Sequence, residues 1–122
     1  MADIVLFHHI LGRTPGVVAI AEELTRAGHT VHVPDLFDGE TFTQLEDGFA
    51  HMQSLDPERL RAQVDATVEA LPADLVYAGI SWGGSHAQRL AQTRAGARGA
   101  LFFEACFPVM GEWSFGQWPT GL

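Results

Sequence analysis

Apolar residues along the chain follow two rhythms. Short unbroken runs at 3–7, 30–33, 74–79 and 99–103 predict β-strands, while 15–27, 56–71 and 83–95 predict helices. In the first helix the buried stripe is Val17, Val18, Ile20, Ala21 and Leu24, with Pro15 near its start and Ala27-Gly28 at its end. Asp56-Pro57 reads as an N-cap followed by proline at the first helical position. Leu60, Val64, Thr67, Val68 and Leu71 then form the second stripe, which Pro72 stops. Between Asp35 and Asp56 no period is sustained, which predicts a long loop with a short helical turn near 45–52. Beyond Pro108 the chain is rich in Gly, Trp and Pro without a period, so 110–122 reads as an irregular aromatic tail.

Strands alternating with helices make βαβ units, whose crossovers are right-handed and whose strands run parallel. Four such strands, wound both ways, take the order 2-1-3-4. The expected fold is α/β: one domain over 1–122, three layers, with a mostly parallel sheet of about four strands. The order reverses between the first and third strands, and ligands of such sheets gather there, outside the carboxyl ends.

Composition narrows the partners. A chain of 122 residues is long enough for one domain with a core of its own. The net charge of -8 is local: ten acidic residues between Asp35 and Asp74 stand against Arg59 and Arg61 alone, a solvated acidic face. No basic stripe is present for nucleic acid. No apolar run reaches the roughly 18 residues that would span a membrane, and no basic n-region precedes an apolar signal segment, so the expectation is a cytoplasmic protein without a membrane partner. Cys106 is the single cysteine, which excludes an internal disulfide and a multi-cysteine zinc site. No histidine has a partner at metal-ligand spacing, so neither metal nor cofactor is expected. All seven basic residues are arginine, and the lack of lysine excludes a Walker-type phosphate loop and Schiff-base chemistry.

The chemistry centres on 75–84, where an apolar run breaks into Gly79-Ile80-Ser81-Trp82-Gly83-Gly84 and then into a helix. A sharp strand-to-helix turn projects one side chain out of the sheet, and flanking glycines leave room for the chains that cross it. Ser81 is therefore a candidate nucleophile, and the Trp82 amide a candidate oxyanion donor at the helix N-terminus. The same glycines also suit a flavodoxin-like anion or nucleotide cradle, in which Ser81 merely caps the helix. With the strand order above, His8-His9-Ile10 lies beside Ser81. The Ile10 amide then offers a second oxyanion donor, and one imidazole can approach the serine hydroxyl.

Phe7-His8-His9-Ile10-Leu11-Gly12, Val33-Pro34-Asp35-Leu36-Phe37 and Gly79-Ile80-Ser81-Trp82-Gly83-Gly84 together resemble the dienelactone hydrolase family of α/β-hydrolases, over about 3–109. The resemblance implies hydrolysis of a small carboxylic ester or lactone by a nucleophile, histidine and acid triad, with Ile10 and Trp82 as the oxyanion amides. Two departures stand out: the family usually carries cysteine where this chain has Ser81, and often a glutamate where it has His9. In relatives that glutamate contacts the nucleophile, which implies the same of His9.

A third departure concerns the triad. After Ser81 there is no aspartate, and His86 is the sole histidine. On a helix starting near Gly83, His86 points along the helix body as a partly exposed residue. Glu104, at the end of the fourth strand, is a position some α/β-hydrolases use for the acid, and with His9 it forms the one makeshift set in the chain. The expectation is the N-terminal part of a longer hydrolase, truncated before the strands that carry acid and base, and weakly active alone. Trp113, Phe115 and Trp118, with an unprotected fourth strand, predict self-association or cover by a missing C-terminal segment. The competing class is a non-catalytic, flavodoxin-like half-domain.

Overall fold

The computed structural model describes residues 2–103. In chain order the elements are β1 (Asp3–Phe7), α1 (Pro15–Arg26), β2 (Thr30–His32), α2 (Leu45–Ser54), α3 (Pro57–Glu69), β3 (Leu75–Ile80), α4 (Trp82–Thr93) and β4 (Gly99–Phe103). The four strands form one parallel sheet in the order β2-β1-β3-β4, as the alternation of periods predicts. Its two central strands align from Asp3↔Leu75 to Phe7↔Gly79, so the loops leaving β1 and β3 emerge side by side.

The period of two in the strands sorts side chains into two cores. Ile4 and Leu6 of β1 and Ala78 of β3 face α1, meeting Val17 and Ala21. Val5, Phe7, Leu75 and Tyr77 face the other way, onto Val64 and Val68 of α3 and Ala87, Leu90 and Ala91 of α4. Helices thus cover both faces, which is why β1 and β3 are apolar almost throughout. On β4, Phe102 packs on the α3 and α4 side, while Leu101 and Phe103 on the other face stay 42% and 39% exposed.

Helix ends follow the sequence signals in part. Pro15 and Pro57 occupy first helical positions, and the Asp56 carboxylate accepts the Glu58 amide at 3.1 Å. At the end of α3, Arg94 donates to the carbonyls of Val68 and Leu71 and to the hydroxyl of the fully buried Tyr77. That guanidinium satisfies a helix C-terminus and a core phenol together.

The segment 35–56 differs from expectation. In place of a long loop with one turn it contains the ten-residue α2. This helix lacks a side-chain cap and has Gly48 in its body, so its local signals are weak. Packing supplies what propensity does not: a Cβ at Gly48 would lie 2.4 Å from the carbonyl oxygen of Ile10, so only glycine lets α2 rest on the loop after β1. The strand β2 ends at His32 and is at most half-buried, as a sheet edge should be. Glu104 and the aromatic tail from Trp113 to Trp118 lie outside the described residues.

Candidate functional site

The backbone at Ser81 has φ 50° and ψ −114°, a conformation L-residues rarely adopt. It is imposed from both sides. The Ser81 amide donates to the carbonyl of Phe103 at 2.7 Å, holding the residue to the end of β4, and its carbonyl accepts the Gly84 amide at 2.8 Å, which starts α4. A Cβ at Gly79 would lie 2.3 Å from the Gly83 oxygen, and one at Gly83 would lie 2.3 Å and 2.4 Å from the oxygens of Phe7 and His8. Both glycines are therefore required by backbone approaching backbone, first of α4 on β3 and then of α4 on the end of β1. The serine side chain makes no capping hydrogen bond, so the helix-cap reading has no support in the geometry.

The loop after β1 is pinned against this elbow from several directions. His8 is fully buried; its Nε2 accepts the Leu36 amide at 3.0 Å, which leaves the proton on Nδ1 to be donated to the His9 carbonyl at 2.8 Å. Burial, foremost, pushes its pKa below the ordinary histidine value, so both nitrogens of a neutral ring are committed to structure. The partner segment is shaped in turn by Asp35, whose carboxylate accepts the amides of Phe37 and Gly39. Val33-Pro34-Asp35-Leu36-Phe37 is thus a brace: a proline just past the end of β2, a carboxylate-organised turn, and an amide that fixes His8.

His9 accepts the Leu11 amide on Nδ1 at 3.2 Å, which leaves Nε2 as the nitrogen that carries a proton. The Gly12 amide donates to the His9 carbonyl at 3.1 Å, and the Leu11 carbonyl accepts from Phe42 at 2.9 Å. Ile10 is 4% exposed and lies under α2. Among the described residues the amides of Ile10 and Trp82 have no hydrogen-bond acceptor, and β1 and β3, the strands they follow, are register neighbours in the sheet.

His86 lies on α4 with the partial exposure expected of it, but its ring has neighbours that helix spacing does not reveal. Its ring turns inward, 4.7 Å from the Trp82 ring at an interplanar angle of 90° and 5.7 Å from the Phe7 ring. Its Nε2 is buried without a hydrogen-bond partner. Desolvation, with smaller contributions from Arg89 and His8 against Asp65, lowers its pKa to about 4, so the ring is neutral near pH 7. Sequence spacing set His8 beside the elbow without its burial, and His86 on the helix without its ring contacts. For His8 a signal existed, since a histidine continuing a fully apolar strand is itself in the core.

No group of three or more His, Cys, Asp or Glu able to hold a metal is found among the described residues, and no helix there is long and apolar enough to cross a membrane. The architecture defines a three-layer α/β protein with a strained serine at a strand-to-helix turn. No family model and no curated protein matches the chain. Solved structures do. One, described as m3DLH, is 25% identical with a TM-score of 0.67, covering 83% of this chain and 46% of that one. Another, a candidate dienelactone hydrolase from Klebsiella pneumoniae subsp. pneumoniae, has a TM-score of 0.74 at 13% identity, over 97% of this chain and 54% of its own. The chain thus has the fold of dienelactone hydrolase-like structures and spans about half their length.

Proposed function

We propose that the chain carries the nucleophile half of a serine hydrolase acting on small carboxylic esters or lactones. The observation that carries the reading is the backbone of Ser81, held at φ 50° between Gly79 and Gly83, at neither of which a Cβ fits. Strain of this kind persists only where surrounding structure over-determines it, and it concentrates at functional sites. A flavodoxin-like anion cradle gains nothing from a serine so strained, and the Trp82 indole beside it is bulky where a phosphate needs small residues.

In the proposed reaction Ser81 Oγ attacks the ester carbonyl, and the Ile10 and Trp82 amides, free of other acceptors, receive the oxyanion as it forms. The positive end of the α4 dipole adds to them. His9, with Nε2 carrying its proton, donates a hydrogen bond toward the serine or the bound ester. His8 positions the loop that carries Ile10. The general base and acid come from outside residues 2–103, where Glu104 is the nearest carboxylate in sequence. The base takes the Ser81 proton and passes it to the alcohol that departs as the ester C–O bond breaks; water then attacks the acyl-enzyme, releasing the carboxylic acid and restoring the Ser81 hydroxyl.

Oxyanion donors and binding alone retain some rate over water, so the chain itself can be assayed. The test is hydrolysis of p-nitrophenyl acetate by the chain and by Ser81→Ala. The proposal predicts a loss of at least tenfold in the variant; equal rates remove Ser81 from the mechanism.

A further inference from the structure

A cavity of about 290 Å³ opens between the C-terminal end of α2, the first turns of α3 and the first turns of α4. Met52, Leu55, Pro57 and Leu60 form its apolar wall, and Trp82 and His86 close the side toward the elbow. Trp82 is the link: its amide lies next to Ser81 in the chain and its indole lines the cavity. The cavity is about twice the size of one that accommodates benzene, so it holds a ring with a short chain.

The polar groups around it disfavour a charged occupant. The Arg89 guanidinium is already paired with Asp65 at 2.8 Å, and Ser85 Oγ donates to the Trp82 carbonyl at 2.7 Å. Arg61 lies at the rim, exposed, where water screens it. His86, which lines the cavity, is neutral, and its Nε2 is shut away from solvent. A carboxylate would have to shed its water against apolar walls with, among the described residues, no free cation inside. An uncharged group loses far less.

We propose that this cavity is the subsite for the larger, uncharged apolar group of the ester, an aryl or short alkyl chain, with the Trp82 indole as the wall it shares with the elbow. The assignment as a substrate subsite rests on the hydrolase reading above; the assignment as a binding site does not.

The probe is 4-phenyl-2-butanone, an uncharged ketone that cannot be hydrolysed, titrated into the chain while the Trp82 indole and His86 imidazole signals are followed by NMR, with Trp82→Phe to assign the indole. The expected result is saturable shifts of both signals with a Kd on the order of 1 mM, as befits a ligand of this size. Leu60→Trp, or Met52→Trp if that variant does not fold, fills the cavity and should weaken binding at least tenfold; Gly16→Ala, on α1 and away from the cavity, should leave it unchanged. Absence of saturation, or full affinity in a folded filling variant, overturns the subsite. Tighter binding of 3-phenylpropanoate than of the ketone, abolished in Arg61→Gln, overturns the uncharged assignment. If the ketone binds as expected while Ser81 proves inert, the binding site stands and only the hydrolase reading falls.

Discussion

Replacing Gly83 with alanine is the sharpest perturbation of the packing that creates the elbow. The added Cβ would sit 2.3 Å from the carbonyl oxygen of Phe7, 2.4 Å from that of His8 and 2.7 Å from the Phe7 carbonyl carbon. Ordinary contacts begin near 3.4 Å, so α4 and the end of β1 must separate by about 1 Å. Neither side yields easily, because the obstacles are backbone atoms and Phe7 and His8 are both fully buried. Overpacking of flexible side chains costs about 1–3 kcal/mol; a clash of backbone with backbone should exceed that, at about 3–5 kcal/mol. For a domain near 100 residues this lowers Tm by roughly 12 °C or more. The control is Gly16→Ala in the first turn of α1, where a Cβ meets only Thr14 Oγ1 at 3.8 Å. That change should be neutral or stabilising by up to about 1 kcal/mol. Urea unfolding followed by far-UV circular dichroism measures both. A Gly83→Ala midpoint equal to that of the parent chain would refute the seating of α4 on β1, and with it the reason given for the Ser81 backbone.

Two further predictions concern the groups around this core. His86 is neutral when folded down to a pKa of about 4, whereas an unfolded histidine takes up its proton below about 6.5, so the unfolded state binds more protons between these values. Stability is therefore full above pH 6.5 and falls as the pH drops toward 4, by an amount on the order of 3 kcal/mol from this residue, with His8 contributing in the same direction. His86→Phe should flatten the pH dependence of the urea midpoint in that window, and an unchanged slope would show that the ring is not desolvated. Arg94→Ala should lower stability by about 1–3 kcal/mol, because it strands the buried Tyr77 hydroxyl and the last carbonyls of α3. Arg94→Lys should recover only part of this, since one ammonium does not reproduce the planar fork, and full recovery in the urea midpoint would contradict the geometry.

The sheet order was legible because alternating periods and right-handed crossovers leave few topologies for four parallel strands. The elbow was legible because its glycines serve a purely steric purpose that a sequence displays. What spacing does not encode is tertiary approach. α2 exists through contact of Gly48 with Ile10, not through caps or a strong stripe, so 35–56 reads as loop when taken alone. The partial exposure of His86 is legible from its helix, but its ring contacts with Phe7 and Trp82 are not. His8 and Asp35 were visible as residues of a motif, yet their work in bracing the Ile10 loop depends on an amide 28 positions away from the imidazole that accepts it.

Covalent capture of Ser81 tests the central claim most directly. The chain and its Ser81→Ala variant are incubated with a fluorophosphonate, and the adducts are mapped by peptide mass spectrometry. The account predicts a single adduct that accumulates on Ser81 and is absent from the variant. No adduct on Ser81, or the same labelling in Ser81→Ala, would contradict it.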